Sequence, residues 1–138
     1  MSCWQRPADP RQREFARHIV RYAGRRPVWE AGFARLVYIG EGGAPPGQYR
    51  MDMIHLPKGA AVRGYARLVE EAYFVLEGCI TVGWEESGHT VEERLGPKDV
   101  ILTPASRVHH FRNDGVADAE FMLLAGTARA EDVRFQAA

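Results

Sequence analysis

The sequence has little cysteine, no excess charge of either sign and no long apolar run. Its 138 residues include two cysteines, Cys3 and Cys79, which are too few for a disulfide framework. Lysine plus arginine and aspartate plus glutamate both total 18, so the net charge of zero gives no electrostatic reason to bind nucleic acid or anionic membranes. No apolar run is long enough to cross a bilayer, and the polar start lacks a signal-peptide pattern. We therefore expect a cytoplasmic protein with reduced thiols and no nucleic-acid or membrane partner.

Short candidate strands, separated by turn residues, make up most of the chain. They are Phe33–Ile39, Tyr49–Leu56, Ala72–Leu76, Ile80–Glu85, Thr90–Leu95, Val100–Thr103, Val108–Arg112 and Glu120–Ala125. Many short strands at regular spacing are typical of an antiparallel barrel or sandwich. The sequence therefore predicts an all-β fold, and its length predicts a single barrel domain.

One short helix is expected before the strands. Asp9 followed by Pro10 is typical of a helix start, and Phe15 and Ile19 lie four residues apart, on one face of a helix. This pattern predicts a helix from about Pro10 to Arg17. We expect residues 1–30 to form an N-terminal arm whose helix packs on a barrel made of residues 31–138.

The segment from Gly59 to Gly78 resembles the first motif of the cupin superfamily, G-x5-H-x-H-x3-E-x6-G. Gly59, Glu71 and Gly78 occupy the matching positions. The two histidine positions of the motif hold Tyr65 and Arg67 instead. The spacing of the motif is thus intact, whereas both of its histidines are replaced.

A second segment, Lys98 to Asn113, resembles the second cupin motif, G-x5-P-x-G-x2-H-x3-N. Pro104, His109 and Asn113 match, while Lys98 and Ser106 stand where the motif has turn glycines. These two replacements affect loop geometry, because glycine serves there for its backbone freedom. The resemblance covers 49–124 and implies a small single-domain cupin, a jelly-roll barrel of the double-stranded β-helix type.

The cupin resemblance implies that side chains from both motifs meet in one cavity inside the barrel. Strand alternation places Tyr73 on the same face as Glu71, and Phe111 on the same face as His109. The candidate catalytic residues are Glu71 and His109. The candidate substrate-binding residues are Tyr65, Arg67, Tyr73 and Phe111.

Metal-binding cupins use the two histidines and the glutamate of the first motif as ligands, so the replacements bear on the cofactor. Arg67 cannot be a ligand, because a guanidinium has no lone pair to offer. Glu71 and His109 are fewer than the three protein ligands that a catalytic metal usually requires. We therefore predict no metal cofactor. If His55 faces the cavity, however, Glu71, His109 and His55 would form a substitute site for a divalent metal.

Three functional hypotheses follow from the sequence. In the first, the barrel binds a small anionic or oxygen-rich metabolite without metal: Arg67 and Tyr65 anchor the ligand, and His109 and Glu71 are an acid and a base. Whether the ligand is also transformed is left open. In the second, the protein is a metal-dependent cupin enzyme, such as an oxygenase, isomerase or decarboxylase, with the rearranged ligand set. In the third, the pocket is vestigial and the barrel only mediates assembly.

Three further expectations concern surfaces and turns. His110 should point away from the cavity, because it follows His109 on the same strand. Asn113 should make a turn with the Asp114-Gly115 pair behind it. We also expect a homodimer, since pairing at sheet edges would cover exposed strand edges.

Overall fold

The computed structural model describes residues 9–44, 46–127 and 133–135, of which Arg67 and residues 133–135 are described in backbone only. Helix α1 spans Pro10–Ala16. The strands are β1 Val28–Trp29, β2 Ala34–Ile39, β3 Tyr49–Leu56, β4 Ala61–Arg67, β5 Glu71–Glu77, β6 Ile80–Glu86, β7 His89–Leu95, β8 Val100–Thr103, β9 His109–Arg112, β10 Ala119–Gly126 and β11 Val133–Phe135. None of the helical residues in these ranges belongs to a helix of membrane-spanning length and hydropathy.

Two antiparallel sheets form the fold. One has six strands in the order β1-β2-β3-β10-β5-β8, and the other has five in the order β11-β4-β9-β6-β7. The inner faces enclose a core of apolar and aromatic side chains, which includes Phe33, Ile54, Leu56, Val62, Tyr65, Tyr73, Val75, Ile80, Val82, Phe111, Phe121 and Leu123. The predicted all-β fold is confirmed, and each predicted strand lies within a residue or two of an observed one.

Helix α1 lies where the sequence predicts it. The side chain of Asp9 caps it by accepting a hydrogen bond from the backbone N–H of Arg11, over 2.9 Å. None of the helix residues is buried. The chain after it is tied to the barrel by Arg25, which donates to the carbonyl oxygens of Val37 and Gly42, and by the pairing of β1 with β2. The packing of the helix on the barrel, and the boundary at residue 30, remain predictions.

The turns of both motifs adopt left-handed backbone conformations. Gly78 has a φ of +71°, and a Cβ at this position would lie 2.7 Å from the carbonyl oxygen of Asp118, so only glycine fits. Lys98 and Ser106, which replace the glycines of the second motif, have φ values of +74° and +62°. The turn geometry of the motif is therefore retained without glycine, at the cost of a strained backbone.

A β-bulge in β4 places Tyr65 inside the barrel. Val62 pairs with Phe111 and Tyr65 pairs with His109, with a register shift between the two pairs. Val62 and Tyr65 are three positions apart, so a regular strand would point them to opposite faces. The extra residue of the bulge restores Tyr65 to the inner face, where both side chains are buried.

Candidate functional site

Three strands bring four of the predicted site residues together in the barrel interior. They are Tyr65 of β4, Glu71 and Tyr73 of β5, and His109 of β9. Their exposed fractions are 2%, 1%, 0% and 3% in that order. Buried polar groups of this kind are normally hydrogen-bonded, because burial without a partner is costly.

The four side chains form a continuous hydrogen-bonded chain. The Tyr65 hydroxyl donates to Oε2 of Glu71 over 3.0 Å. The Tyr73 hydroxyl lies 3.2 Å from Oε1 of the same carboxylate and 2.7 Å from Nε2 of His109. At the far end, Nδ1 of His109 lies 3.1 Å from the carbonyl oxygen of Arg107. A buried carboxylate and a buried imidazole are thus joined through one tyrosine hydroxyl.

The hydrogen-bond pattern assigns the protons of this chain. A carbonyl oxygen only accepts, so Nδ1 of His109 carries a proton, and Nε2 of the neutral ring accepts from Tyr73. When Nε2 is protonated as well, it donates to the Tyr73 oxygen, and the hydroxyl proton turns to Glu71. The Tyr73 hydroxyl can therefore pass a proton between the carboxylate and the imidazole.

Burial sets the direction of the His109 pKa. Removal of the imidazole from water lowers its pKa below the ordinary value of 6.5, and the neighbouring His110 acts in the same direction. The hydrogen bond to the Arg107 carbonyl opposes this effect. His109 is therefore neutral at pH 7, the form that can accept a proton.

Aromatic rings pack around the hydrogen-bonded chain. The ring centroid of Tyr73 lies 5.1 Å from that of Phe121 and 5.6 Å from that of Phe111. The rings of Tyr65 and His109 meet edge to face at 5.3 Å. The predicted residue Phe111 is thus part of the site wall. On the other side of the five-stranded sheet, a surface groove of about 610 Å³ is lined by outward side chains that include Arg63, Glu92, His110 and Arg112.

Arg67, the predicted electrostatic anchor, falls partly outside the described residues. Its backbone belongs to β4 and pairs with Val133 of β11. Its side chain lies outside the described part of the chain, so its role in the cavity stays a prediction.

His55 is not part of the candidate site. The substitute metal site predicted from the sequence required His55 to face the cavity, and it does not. It lies on β3 between Ile54 and Leu56, which face the core, so its own side chain points to the outer face. There, Nε2 lies 3.2 Å from Asp118 Oδ2 and Nδ1 lies 3.5 Å from Glu120 Oε1. Glu71, His109 and His55 are therefore not brought together.

The described interior does not fit the metal site of metal-binding cupins. Of that site only Glu71 and His109 remain, and the Tyr73 hydroxyl lies between them within hydrogen-bonding distance of both. A cation bound by the two ligands would need this place. In the part of the chain that the structure describes, no cluster of three or more His, Cys, Asp or Glu side chains could hold a metal.

Three charged residues of the inner face were not predicted from the sequence, namely Arg35, Arg50 and Asp52. Asp52 is buried on β3, with its carboxylate 3.7 Å from Arg35 and 3.9 Å from Arg50. Cross-strand pairing through β10 puts Asp52 on the face of Tyr73, and Arg50 on the face of Glu71. Arg50 and Asp52 alternate in step with the core residue Ile54, but the other face of β3 carries Met51 and Met53, so the sequence did not show which of the two faces is inside.

Asn113 has the structural role that the sequence predicts. Its Nδ2 donates to the carbonyl oxygens of Leu56 and Ala117, and its Oδ1 accepts from the N–H of Gly115. The buried amide thus joins the turn after β9 to the end of β3.

His110 lies on the outer face, as strand alternation predicts. Its Nε2 is 2.6 Å from Oε2 of Glu92 on β7, and the ring reaches it across Gly83 on the intervening strand β6. A Cβ at Gly83 would lie 2.9 Å from that nitrogen. Hydrogen bonds from Arg112 and then from His110 lower the pKa of Glu92 to about 2, so the carboxylate is ionised at neutral pH.

Solved structures with the same fold include several enzymes. One is the polyketide cyclase RemF from Streptomyces resistomycificus, with a TM-score of 0.71 and 19% identity over 87% of this chain and 85% of that chain. Another is the DMSP lyase DddQ from Ruegeria pomeroyi DSS-3, with a TM-score of 0.65 and 24% identity over 85% and 59%. A third is the oxalate decarboxylase of Lactobacillus farciminis, with a TM-score of 0.64 and 14% identity over 73% and 30%. At these identities the likeness shows the fold alone.

No curated protein matches the sequence significantly. The family described as "Cupin domain" matches residues 52–125, which is more than half of the chain and includes both motifs. This match agrees with the two facing antiparallel sheets and with the structural neighbours. The chain belongs to the cupin family and folds as a jelly-roll β-barrel.

Proposed function

We propose that this cupin binds a small anionic or oxygen-rich metabolite inside its barrel and transfers a proton on it without a metal. The observation that carries the proposal is the buried Glu71–Tyr73–His109 chain. A carboxylate and an imidazole that share one hydroxyl are an acid and a base already connected for proton transfer. The shared fold is compatible with this use, since it also occurs in proteins named as a cyclase, a lyase and a decarboxylase.

His109 is the base in this proposal, and Glu71 is the group that restores its proton state. Burial keeps the pKa of His109 low, so the ring is neutral at pH 7. The contact between Nδ1 and the Arg107 carbonyl fixes the tautomer and leaves Nε2 as the acceptor. After Nε2 has taken a proton from the ligand, it passes this proton to the Tyr73 oxygen while the Tyr73 hydroxyl gives its own proton to the Glu71 carboxylate, so that His109 returns to the neutral form and Glu71 becomes the carboxylic acid.

Binding of an anionic ligand requires a positive charge in the barrel. Arg35 and Arg50 are balanced by Glu30, which lies 2.9 Å from Arg35, and by the buried Asp52, so Arg67 is the residue proposed to supply this charge. Arg67 and Tyr65 are the proposed anchors for the ligand oxygens. The assignment of Arg67 rests on its position in the motif, where the guanidinium would supply the fixed positive charge that a metal supplies in other cupins.

Ligand binding can be tested by thermal shift with malonate, citrate and inorganic phosphate as probes. A bound probe raises the melting temperature of the wild-type protein. We expect Arg67→Ala to abolish the shift while the circular dichroism spectrum stays native. The matched control is Arg94→Ala, which removes an exposed arginine of β7 and should leave the shift unchanged. An unfolded Arg67→Ala protein would instead indicate a structural ion pair, and the absence of any wild-type shift would favour a vestigial pocket.

The metal-free part of the proposal has its own test. Elemental analysis of untagged, dialysed protein should find no stoichiometric iron, zinc, nickel or manganese. A full complement of one metal that resists dialysis would overturn this part and favour a metal-dependent cupin enzyme. Glu71→Gln and His109→Gln variants would then show whether these two residues are its ligands, since each should reduce the metal content.

A further inference from the structure

A second cavity, of about 380 Å³, lies outside the barrel, and we call it the outer pocket. Its floor is apolar and comes from Ala34 and Leu36 of β2 and from Met53 of β3, while residues 22–29 form its wall. Met53 precedes the core residue Ile54 on β3, so the outer pocket and the barrel interior lie on opposite sides of the six-stranded sheet. The volume is within the range of small-molecule sites.

Two large aromatic side chains line the outer pocket and remain mostly open. Tyr22 is 67% exposed and Trp29 is 61% exposed. Aromatic side chains usually bury most of their area, because a single ring can remove about 150–250 Å² from water. The ring of Trp29 meets that of His55 edge to face, with the centroids 6.4 Å apart, so the indole leans over the sheet. A ligand in the outer pocket would cover ring surface that the chain itself leaves open.

One end of the outer pocket is acidic. Glu120 of β10 lines this end, and Glu77 of β5 pairs with it across the sheet. Like charges at paired positions on neighbouring strands repel each other. Among the described residues, His55 is the basic group in contact with Glu120, and its other ring nitrogen contacts Asp118. Three carboxylates thus surround one imidazole, and their charge attracts a cation.

Arg25, the other basic residue that lines the outer pocket, is held away from the acidic end. Its guanidinium donates to the carbonyl oxygens of Val37 and Gly42. Val37 lies three residues along β2 from Ala34, the residue that pairs with His55, which is about 10 Å at about 3.4 Å per residue. Repulsion from Arg25 and attraction to the carboxylates therefore direct a cation to the same end of the pocket.

We propose that the outer pocket binds a small organic cation, in which an ammonium group is joined to an apolar body. The ammonium group pairs with Glu120, and Trp29 adds a cation–π contact. The apolar body covers Leu36 and Met53. An inorganic ion is disfavoured, because no group of three or more His, Cys, Asp or Glu side chains within the described ranges could hold a metal. This site is separate from the one proposed in the barrel and selects the opposite charge.

Three ligands of similar shape test the choice of charge. Phenethylamine carries the ammonium group, phenethyl alcohol is its neutral analogue, and phenylacetate is an anionic analogue. In an NMR titration that follows the amide and indole N–H resonances, we expect phenethylamine to bind with a Kd on the order of millimolar, about 10-fold more tightly than the alcohol. Its binding should weaken with added salt, and the shifted resonances should include the indole N–H of Trp29 and the amides of residues 22–29.

Two substitutions test the residues that form the outer pocket. Glu120→Gln keeps the size of the side chain and removes its charge, so phenethylamine should bind about 10-fold more weakly. Trp29→Leu should weaken binding about 3-fold through loss of the cation–π contact. The matched control is Glu93→Gln, which changes an exposed glutamate of β7 on the other sheet and should bind like the wild type. Arg67→Ala should also leave phenethylamine binding unchanged, which separates this site from the one in the barrel.

Four outcomes would overturn the proposal. The first is a wild-type protein that does not bind phenethylamine at millimolar concentration. The second is equal or tighter binding of phenethyl alcohol or phenylacetate, because the charge of the pocket would then play no part. The third is a Glu120→Gln protein that is folded, as its amide spectrum shows, and binds phenethylamine as the wild type does. The fourth is a set of shifted resonances that belongs to the barrel interior around Tyr73 and His109.

Discussion

The hydroxyl of Tyr73 lies 2.7 Å from Nε2 of His109, although the two residues are 36 positions apart in the sequence. The antiparallel barrel brings β5 and β9 to opposite walls of one interior, and this contact bridges them. The same hydroxyl reaches Oε1 of Glu71. The properties of the proposed site therefore depend on a single oxygen atom.

Removal of that oxygen should destabilise the protein without disturbing its packing. Tyr73→Phe keeps the ring contacts with Phe111 and Phe121 and removes the hydroxyl from Glu71 and His109. We expect the free energy of unfolding to fall by about 1–3 kcal/mol, because buried polar groups lose a partner. Urea denaturation measures the change. A Tyr73→Phe protein as stable as the wild type would show that the hydroxyl is dispensable for folding.

The stability of the protein should depend on pH through His109. Its pKa is lowered in the folded state, so the unfolded chain binds more protons at pH values between the folded pKa and the unfolded value near 6.5. Stability is therefore complete above about pH 6.5 and falls as the pH decreases through this window toward the folded pKa. Urea denaturation at a series of pH values measures this slope. His109→Gln should flatten it, and a slope that the substitution leaves unchanged would assign the effect to another group.

The side-chain amide of Asn113 should be required for the stability of the protein. Asn113→Asp replaces a donor that serves two carbonyl oxygens, those of Leu56 and Ala117, with a group that only accepts. We expect a loss of about 3 kcal/mol or more in the free energy of unfolding, since a buried charge would face two acceptors. Asn113→Ala should lose less than Asn113→Asp. The reverse order in thermal denaturation would contradict this explanation.

The two strained turns of the second motif should be open to stabilisation. Lys98→Gly and Ser106→Gly each place glycine at a positive φ, which removes a strain of about 1–2 kcal/mol and adds an entropy cost of about 0.4–1 kcal/mol through the unfolded chain. We expect each change to raise the free energy of unfolding by about 0.5–1 kcal/mol. Lys98→Ala is the control for loss of the lysine side chain, because it keeps the strain. Equal stabilisation by Ala and Gly would exclude the backbone as the cause.

The strands and the shared faces of the site could be predicted from the sequence because both depend on local alternation. Glu71 and Tyr73 lie two apart on one strand, so their common face follows from strand geometry. Val62 and Tyr65 illustrate the limit, since both lie inside only because of the bulge between them. The spacing of the first cupin motif places Tyr65 in the cavity with the bulge already counted. Strand periodicity alone would have placed either Val62 or Tyr65 on the outer face.

Which face is inside is less evident where both faces of a strand carry apolar residues. On β3, Met51 and Met53 alternate with Asp52 and Ile54, so periodicity gave no basis for placing His55 outside or Asp52 inside. The cross-strand partners decide it, and these come from distant segments of the chain. The short strand β1 had no signal of its own, because two residues carry no periodicity.

The contact of His110 with Glu92 across Gly83 has a consequence for strand register. A slide of β7 by two residues along β6 would keep its polar residues on the outer face and would preserve most backbone pairing. It would, however, move Glu92 away from His110, whose ring crosses β6 over Gly83, where no side chain is in the way. If β7 paired with β6 in a shifted register, the ion pair between His110 and Glu92 would be lost, and the His110 ring would no longer have a partner on the far side of Gly83. The small residue in β6 therefore selects one alignment among several that alternation alone would permit.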